Sequence, residues 1–130
     1  MKLNNMNTII PLRYEFEYEH DTACIWINVP DLFDYPSPSG LRDDYGFSWK
    51  LTGILEILSD WYMHTINMSD PHGGLDLDPE FIKIFIELEK YAFNLIQKEL
   101  LDRYTVEYNP SWIRSTYEDN LPTEIVHVAH

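Results

Sequence analysis

Residues 14–29 read Tyr14-Glu15-Phe16-Glu17-Tyr18-Glu19-His20-Asp21-Thr22-Ala23-Cys24-Ile25-Trp26-Ile27-Asn28-Val29. The first six alternate aromatic and acidic without a break. That period of two predicts a half-buried strand, aromatics inward and carboxylates outward. His20-Asp21 predicts a turn. Thr22 to Val29, β-branched at Ile25, Ile27 and Val29, predicts a second strand. Pairing about that turn sets Phe16 opposite Ile25 and Tyr14 opposite Ile27, with Glu15 by Trp26 and Glu17 by Cys24 on the other face. A turn of two or four residues leaves the faces unchanged, because parity decides them.

Beyond the hairpin, Pro30, Pro36, Pro38, Gly40 and Gly46 predict a long, irregular, acidic connection over 30–46. Trp49 to Ile66 then predicts a helix: Leu51, Ile54, Leu55, Leu58, Trp61, Tyr62 and Thr65 fall on one apolar face. Residues 70–74 (Asp-Pro-His-Gly-Gly) break it. Asp78-Pro79 supplies a capping acid and a proline at the first helical position. The second helix is expected to reach about Leu101, with Phe81, Phe85, Leu88, Ala92, Leu95 and Ile96 inward. Lys83, Glu87, Lys90, Asn94 and Gln97 form its wet stripe. Tyr104 to Tyr108 returns to a period of two, residues 111–122 look irregular, and Glu124 to Val128 suits a short last strand.

The expected fold is therefore α+β, one domain over residues 1–130. Its order is β-β-α-α-β with a possible fourth strand, forming a small antiparallel or mixed sheet under two helices. Tyr14, Phe16, Tyr18, Ile25 and Ile27 should be buried together against Leu58, Trp61, Phe85 and Leu88.

Composition narrows the function. The 130 residues carry 22 acids against 9 bases, a formal charge of −13. Such a charge repels nucleic acid and anionic lipid and attracts basic proteins. Residues 14–46 hold eight of the acids and one base, Arg42. The lone Cys24 excludes an internal disulfide. No stretch has the length of a membrane span, and Met1 to Arg13 lacks an apolar signal-peptide run, so a cytoplasmic location is expected. The sequon at Asn67 is then without consequence.

Catalytic patterns are sparse. His72, Asp76 and Asp78, with His64 upstream, carry metal-ligand chemistry. Their spacing fits neither a calcium loop nor H-E-x-x-H, and Asp78 already has a capping role. Cys24 lies in a mostly buried strand, where a small apolar thiol is the default. No G-x-S-x-G or phosphate-binding glycine loop is present. The expectation is a non-enzyme with no cofactor and no metal.

The acidic strand is the more informative feature. Glu15, Glu17 and Glu19 project from one face at about 6–7 Å intervals, given a rise of about 3.3 Å per residue. The paired strand holds no lysine or arginine to relieve them. The plain reading is a solvated face; the sharper one is a docking surface with Trp26 as its anchor. Asp31, Asp34, Asp43 and Asp44 on the 30–46 connection are the other partner-binding candidates.

In size, acidity, lone cysteine and mixed architecture, the whole chain resembles the bacterial immunity proteins of contact-dependent and polymorphic toxin systems. The resemblance implies a cognate toxin domain, basic and in some cases a nuclease, blocked at or near its active site. Alternatives are a nucleic-acid mimic that inhibits a DNA-binding protein, and a small metal-dependent hydrolase using His72, Asp76 and Asp78. Salt-sensitive binding to one co-encoded basic protein supports immunity; a metal-dependent thermal shift supports the hydrolase.

Overall fold

The computed structural model describes residues 9–16, 24–29, 32–66, 79–118 and 122–127. Three strands come first: β1 (Ile10–Glu15), β2 (Ile25–Val29) and β3 (Leu32–Asp34). Three helices follow, α1 (Pro38–Tyr45), α2 (Trp49–Ile66) and α3 (Pro79–Leu100). The chain closes with β4 (Tyr104–Asn109), a short helix α4 (Trp112–Tyr117) and β5 (Glu124–Val126). The five strands form one sheet in the order β3-β2-β1-β4-β5. β1 runs parallel to β4, and the other neighbours are antiparallel. This is the expected α+β arrangement of two layers, with a mixed sheet.

Alternation along the strands sorts the faces as expected. Tyr14, Phe16, Ile25 and Ile27 are buried with Leu12, Val106 and Tyr108, in one apolar cluster with Leu55 and Leu58 of α2 and Phe85 and Ile96 of α3. Trp61 and Leu88 pack against that cluster partly buried. Tyr18 lies outside the described residues.

The register differs from the expected one by two residues: Tyr14 faces Ile25 and Leu12 faces Ile27. The hairpin closes at Cys24, whose φ of 54° is left-handed and whose carbonyl accepts the Glu15 amide at 3.1 Å. β2 starts at Ile25, and pairing moves toward the start of β1, where Ile10 and Leu12 also lie against Tyr104 and Val106. A shift of two preserves both faces. Glu17 and Glu19 lie outside the described residues, so the pairing expected for Glu17 does too.

Residues 30–46 are not the irregular connection expected. They hold β3, which pairs with β2 from Ile27↔Asp34 to Val29↔Leu32, and the eight-residue α1. The breakers work as boundaries. Ser37 caps α1 by accepting the Gly40 amide at 3.1 Å, and Pro38 takes the first position, where no amide is needed. Gly46, at φ 76°, ends it, and the Gly46 and Phe47 amides both turn back to the Leu41 carbonyl. Leu41 fills the core from this helix. Residues 111–122 likewise hold a helix, α4, capped by Ser111, whose hydroxyl accepts the Arg114 amide at 3.1 Å. α2 and α3 match their expected spans, and β5 is the short last strand.

Candidate functional site

The face of the sheet turned away from the core carries Arg13 and Glu15 from β1, Trp26 and Asn28 from β2, Glu107 and Asn109 from β4, and Ile125 from β5. Parallel pairing of β1 with β4 sets Arg13 beside Glu107 and Glu15 beside Asn109. The Arg13 Nε lies 3.1 Å from Glu107 Oε2 and 3.7 Å from Glu15 Oε1. Asn109 Nδ2 donates to both carboxylates, at 2.9 Å to Glu15 and 2.8 Å to Glu107. The Thr123 hydroxyl donates to Asn109 Oδ1 at 2.5 Å, which fixes the amide's orientation. Two like charges on neighbouring strands are thus held together by one cation and one amide. The side chains of Arg13, Glu15 and Glu107 stay about a third exposed, so this array is wet and its ion pairs are weak.

Trp26 pairs with Arg13 across the β1–β2 ladder. Its indole N–H donates to the Glu15 carbonyl at 3.4 Å, and its ring lies 4.9 Å from that of Tyr35, which is 43% exposed. Glu15 is thus not opposite Trp26 as expected, since the two-residue shift puts Arg13 there; the two meet only diagonally, through the Glu15 backbone carbonyl. The structure adds Arg13, Glu107, Asn109 and Tyr35, none of which the sequence reading placed there. The charge of Glu15 is offset by Arg13 on the same strand and by Asn109 on the other neighbour.

The remaining candidates are dispersed. Asp43 and Asp44 are exposed on α1, whose Leu41 packs on the core side of the sheet. Asp34 sits in β3 opposite Ile27. Glu17, Glu19, Asp31, His72, Asp76 and Asp78 lie outside the described residues, and His64 falls near the end of α2. Among the described residues, no three or more of His, Cys, Asp and Glu converge on a common point as a metal would require. Cys24 is buried, and burial pushes its thiol well above the ordinary value, so it stays protonated.

A second constellation was missed in sequence. Glu89 on α3 is fully buried and surrounded by Tyr108, Ser111 and Tyr14. Its carboxylate accepts from the Tyr108 hydroxyl at 2.5 Å, the Ser111 hydroxyl at 2.6 Å and the Ser111 amide at 2.9 Å. Burial raises its pKa, while the bonds from Ser111 and Tyr108 offset part of the rise. A signal did exist. Glu89 stands midway between Phe85 and Phe93 in an i, i+4 row that is otherwise apolar, and an acid there needs buried partners.

The helix layer presents a third feature, a row of exposed apolar groups. Trp49 is 77% exposed beneath the Arg42 guanidinium, 3.7 Å from the ring centre. Tyr91 is exposed beside Lys50, and Ile57 and Ile84 are exposed along the same two helices. No described helix is long and apolar enough to cross a membrane. No protein-family model matches the chain, and no curated protein matches it either.

Proposed function

We propose that this chain is an immunity-type binding protein, which neutralises a cognate basic toxin domain by docking it on an acidic surface and performs no chemistry itself. One observation carries the reading. The outward sheet face carries Glu15 on β1 and Glu107 on β4, joined through Asn109, and on β2 a half-buried Trp26 tilted against Tyr35. Aromatic anchors rimmed by charge are the residue types that dominate binding free energy and accelerate encounter. The charge balance supports it. Among the described bases, Arg13, Arg42, Lys90, Arg103 and Arg114 each contact a group of the chain itself. Much of the positive charge is thereby paired within the chain, and an excess of carboxylates is left over. A toxin that must attract phosphate carries the complementary field.

The test mixes the purified protein with the product of the neighbouring gene, expected to end in a basic domain, in a stopped-flow or surface-binding assay. The association rate should fall steeply as salt rises, since steering can contribute about 10–1000-fold and a Debye length of about 8 Å at physiological salt erodes it. Glu15→Lys with Glu107→Lys should slow association. Trp26→Ala should instead speed dissociation and cost about 2 kcal/mol or more. Trp26→Phe, which keeps a ring against Tyr35, separates lost anchoring from lost folding. Unchanged kinetics in the charge and Trp26→Ala variants, with folding intact, would move the docking surface off this face.

A further inference from the structure

α4 is fastened to α3 by a ring of polar contacts with Glu89 as its innermost member. Ser111, the N-cap of α4, gives both its amide and its hydroxyl to the Glu89 carboxylate. Tyr108 donates to that carboxylate and accepts from Arg114 Nη1 at 2.8 Å. Arg114 Nε donates to Glu118 Oε1 at 2.8 Å, and Glu118 Oε2 lies 3.7 Å from the ammonium of Lys90, Glu89's neighbour in sequence. The ring thus leaves α3 at Glu89 and returns to it at Lys90.

Among the described residues the carboxylate's own contacts are all neutral donors, because Arg114 reaches only the Tyr108 oxygen. The titratable groups facing Glu89 are Tyr14 from β1, Cys24 just before β2, Tyr108 from β4 and Arg114 from α4. Tyr14 directs its hydroxyl to the Glu89 backbone carbonyl at 3.1 Å. Burial pushes Tyr14, Cys24 and Tyr108 upward, so each is neutral at ordinary pH. A fully buried carboxylate with no cation in contact is costly when ionised. In its protonated form a proton on Oε1 turns one bond around, toward Ser111 Oγ, leaves both Oε2 contacts in place and frees only the neutral Ser111 hydroxyl hydrogen, a smaller loss than a buried charge.

We propose that Glu89 makes the docking of α4 a proton-dependent latch, tight when the carboxyl carries a proton and looser when it is ionised. Burial holds Glu89 above the ordinary carboxylate value in the closed form. The closed latch therefore keeps its proton at a pH where the released, solvated carboxyl has lost it. Closure is fully supported below the ordinary value and weakens as pH rises through the folded one. Glu118 acts in the opposite sense: the hydrogen bond from Arg114 lowers it, so its contribution disappears only as pH falls through a value below the ordinary range. Above that range the Glu118 pair is constant.

Amide hydrogen exchange on the whole protein, from about pH 5 to about pH 8 and corrected for intrinsic rates, reads the latch directly. The amides of Arg114 and Ser115, which donate to the Ser111 cap, and of Glu118, which donates to the Arg114 carbonyl at the other end of α4, are the reporters. Their protection should fall several-fold as pH rises, while amides of β1 and β4 hold theirs. Glu89→Gln keeps the shape, its oxygen meeting Tyr108 and the Ser111 amide and its NH2 meeting Ser111 Oγ; its reporters should be flat with pH. A flat wild-type profile, an equal fall in the central strands, or a Glu89→Gln profile that follows wild type would each overturn the latch. If the glutamine variant does not fold, the wild-type contrast between reporters and central strands decides alone.

Discussion

Replacing Glu89 by alanine removes the acceptor from three donors at once, the Tyr108 hydroxyl and the amide and hydroxyl of Ser111. Each buried donor left unpaired costs about 1–3 kcal/mol, and the site also gains a cavity beside Phe93 and Tyr108. Urea unfolding of Glu89→Ala should show a loss of about 3–5 kcal/mol. A loss under about 1 kcal/mol would mean that water satisfies the three donors in the variant. The contrast with glutamine matters more than either value. Glutamine keeps hydrogen bonds in that pocket and removes the charge, so shape and ionisation separate at one position. In sequence, the inward direction of Glu89 was readable from its aromatic neighbours at i−4 and i+4. Its partners were not, because Tyr108 and Ser111 arrive from 19 and 22 residues later in the chain.

Among the elements, α2 and α3 were legible because an apolar stripe repeats over 18 and 22 residues. α1 was not, because eight residues offer only two turns and include both a proline and a glycine. Those residues read as breakers, yet Pro38 sits where a helix tolerates it and Gly46 lies just past the end. Ser37→Ala tests that boundary reading. It removes the acceptor for the Gly40 amide and should cost about 1 kcal/mol in thermal or urea unfolding. A neutral result would show that Leu41 in the core, and not the cap, holds α1 in place. β3 escaped notice for a related reason: three residues between prolines carry too little alternation to signal a strand. The faces of the hairpin were predictable from parity, whereas its closure at a left-handed Cys24 is a backbone feature that side-chain patterning does not encode.

At the scale of the whole molecule, a charge of −13 on 130 residues works against compaction. Thermal melts from low to physiological salt should therefore show a rising Tm, because screening weakens repulsion among carboxylates faster than it weakens partly buried ion pairs such as Arg114–Glu118. A falling Tm would mean that surface attraction outweighs repulsion. Half of the sheet-face array was visible in sequence as Glu15 and Trp26, while Glu107 and Asn109 join it only through the parallel pairing of β1 with β4. That pairing has a consequence in time. Glu15 and Asn109 are 94 residues apart in the chain, so the middle of the sheet closes a very long loop. At a synthesis rate of about 5–20 residues per second, β4 leaves the ribosome roughly 5–20 s after β1. Until then β1 is the open edge of a three-stranded β3-β2-β1 ribbon that lacks its central neighbour. A chain ended before Tyr104 should show no cooperative urea transition, and the full chain should refold in milliseconds to seconds, not microseconds. Over the interval before β4 arrives, the charge of Glu15, on the outward face of β1, disfavours pairing of the open strand edge with another chain.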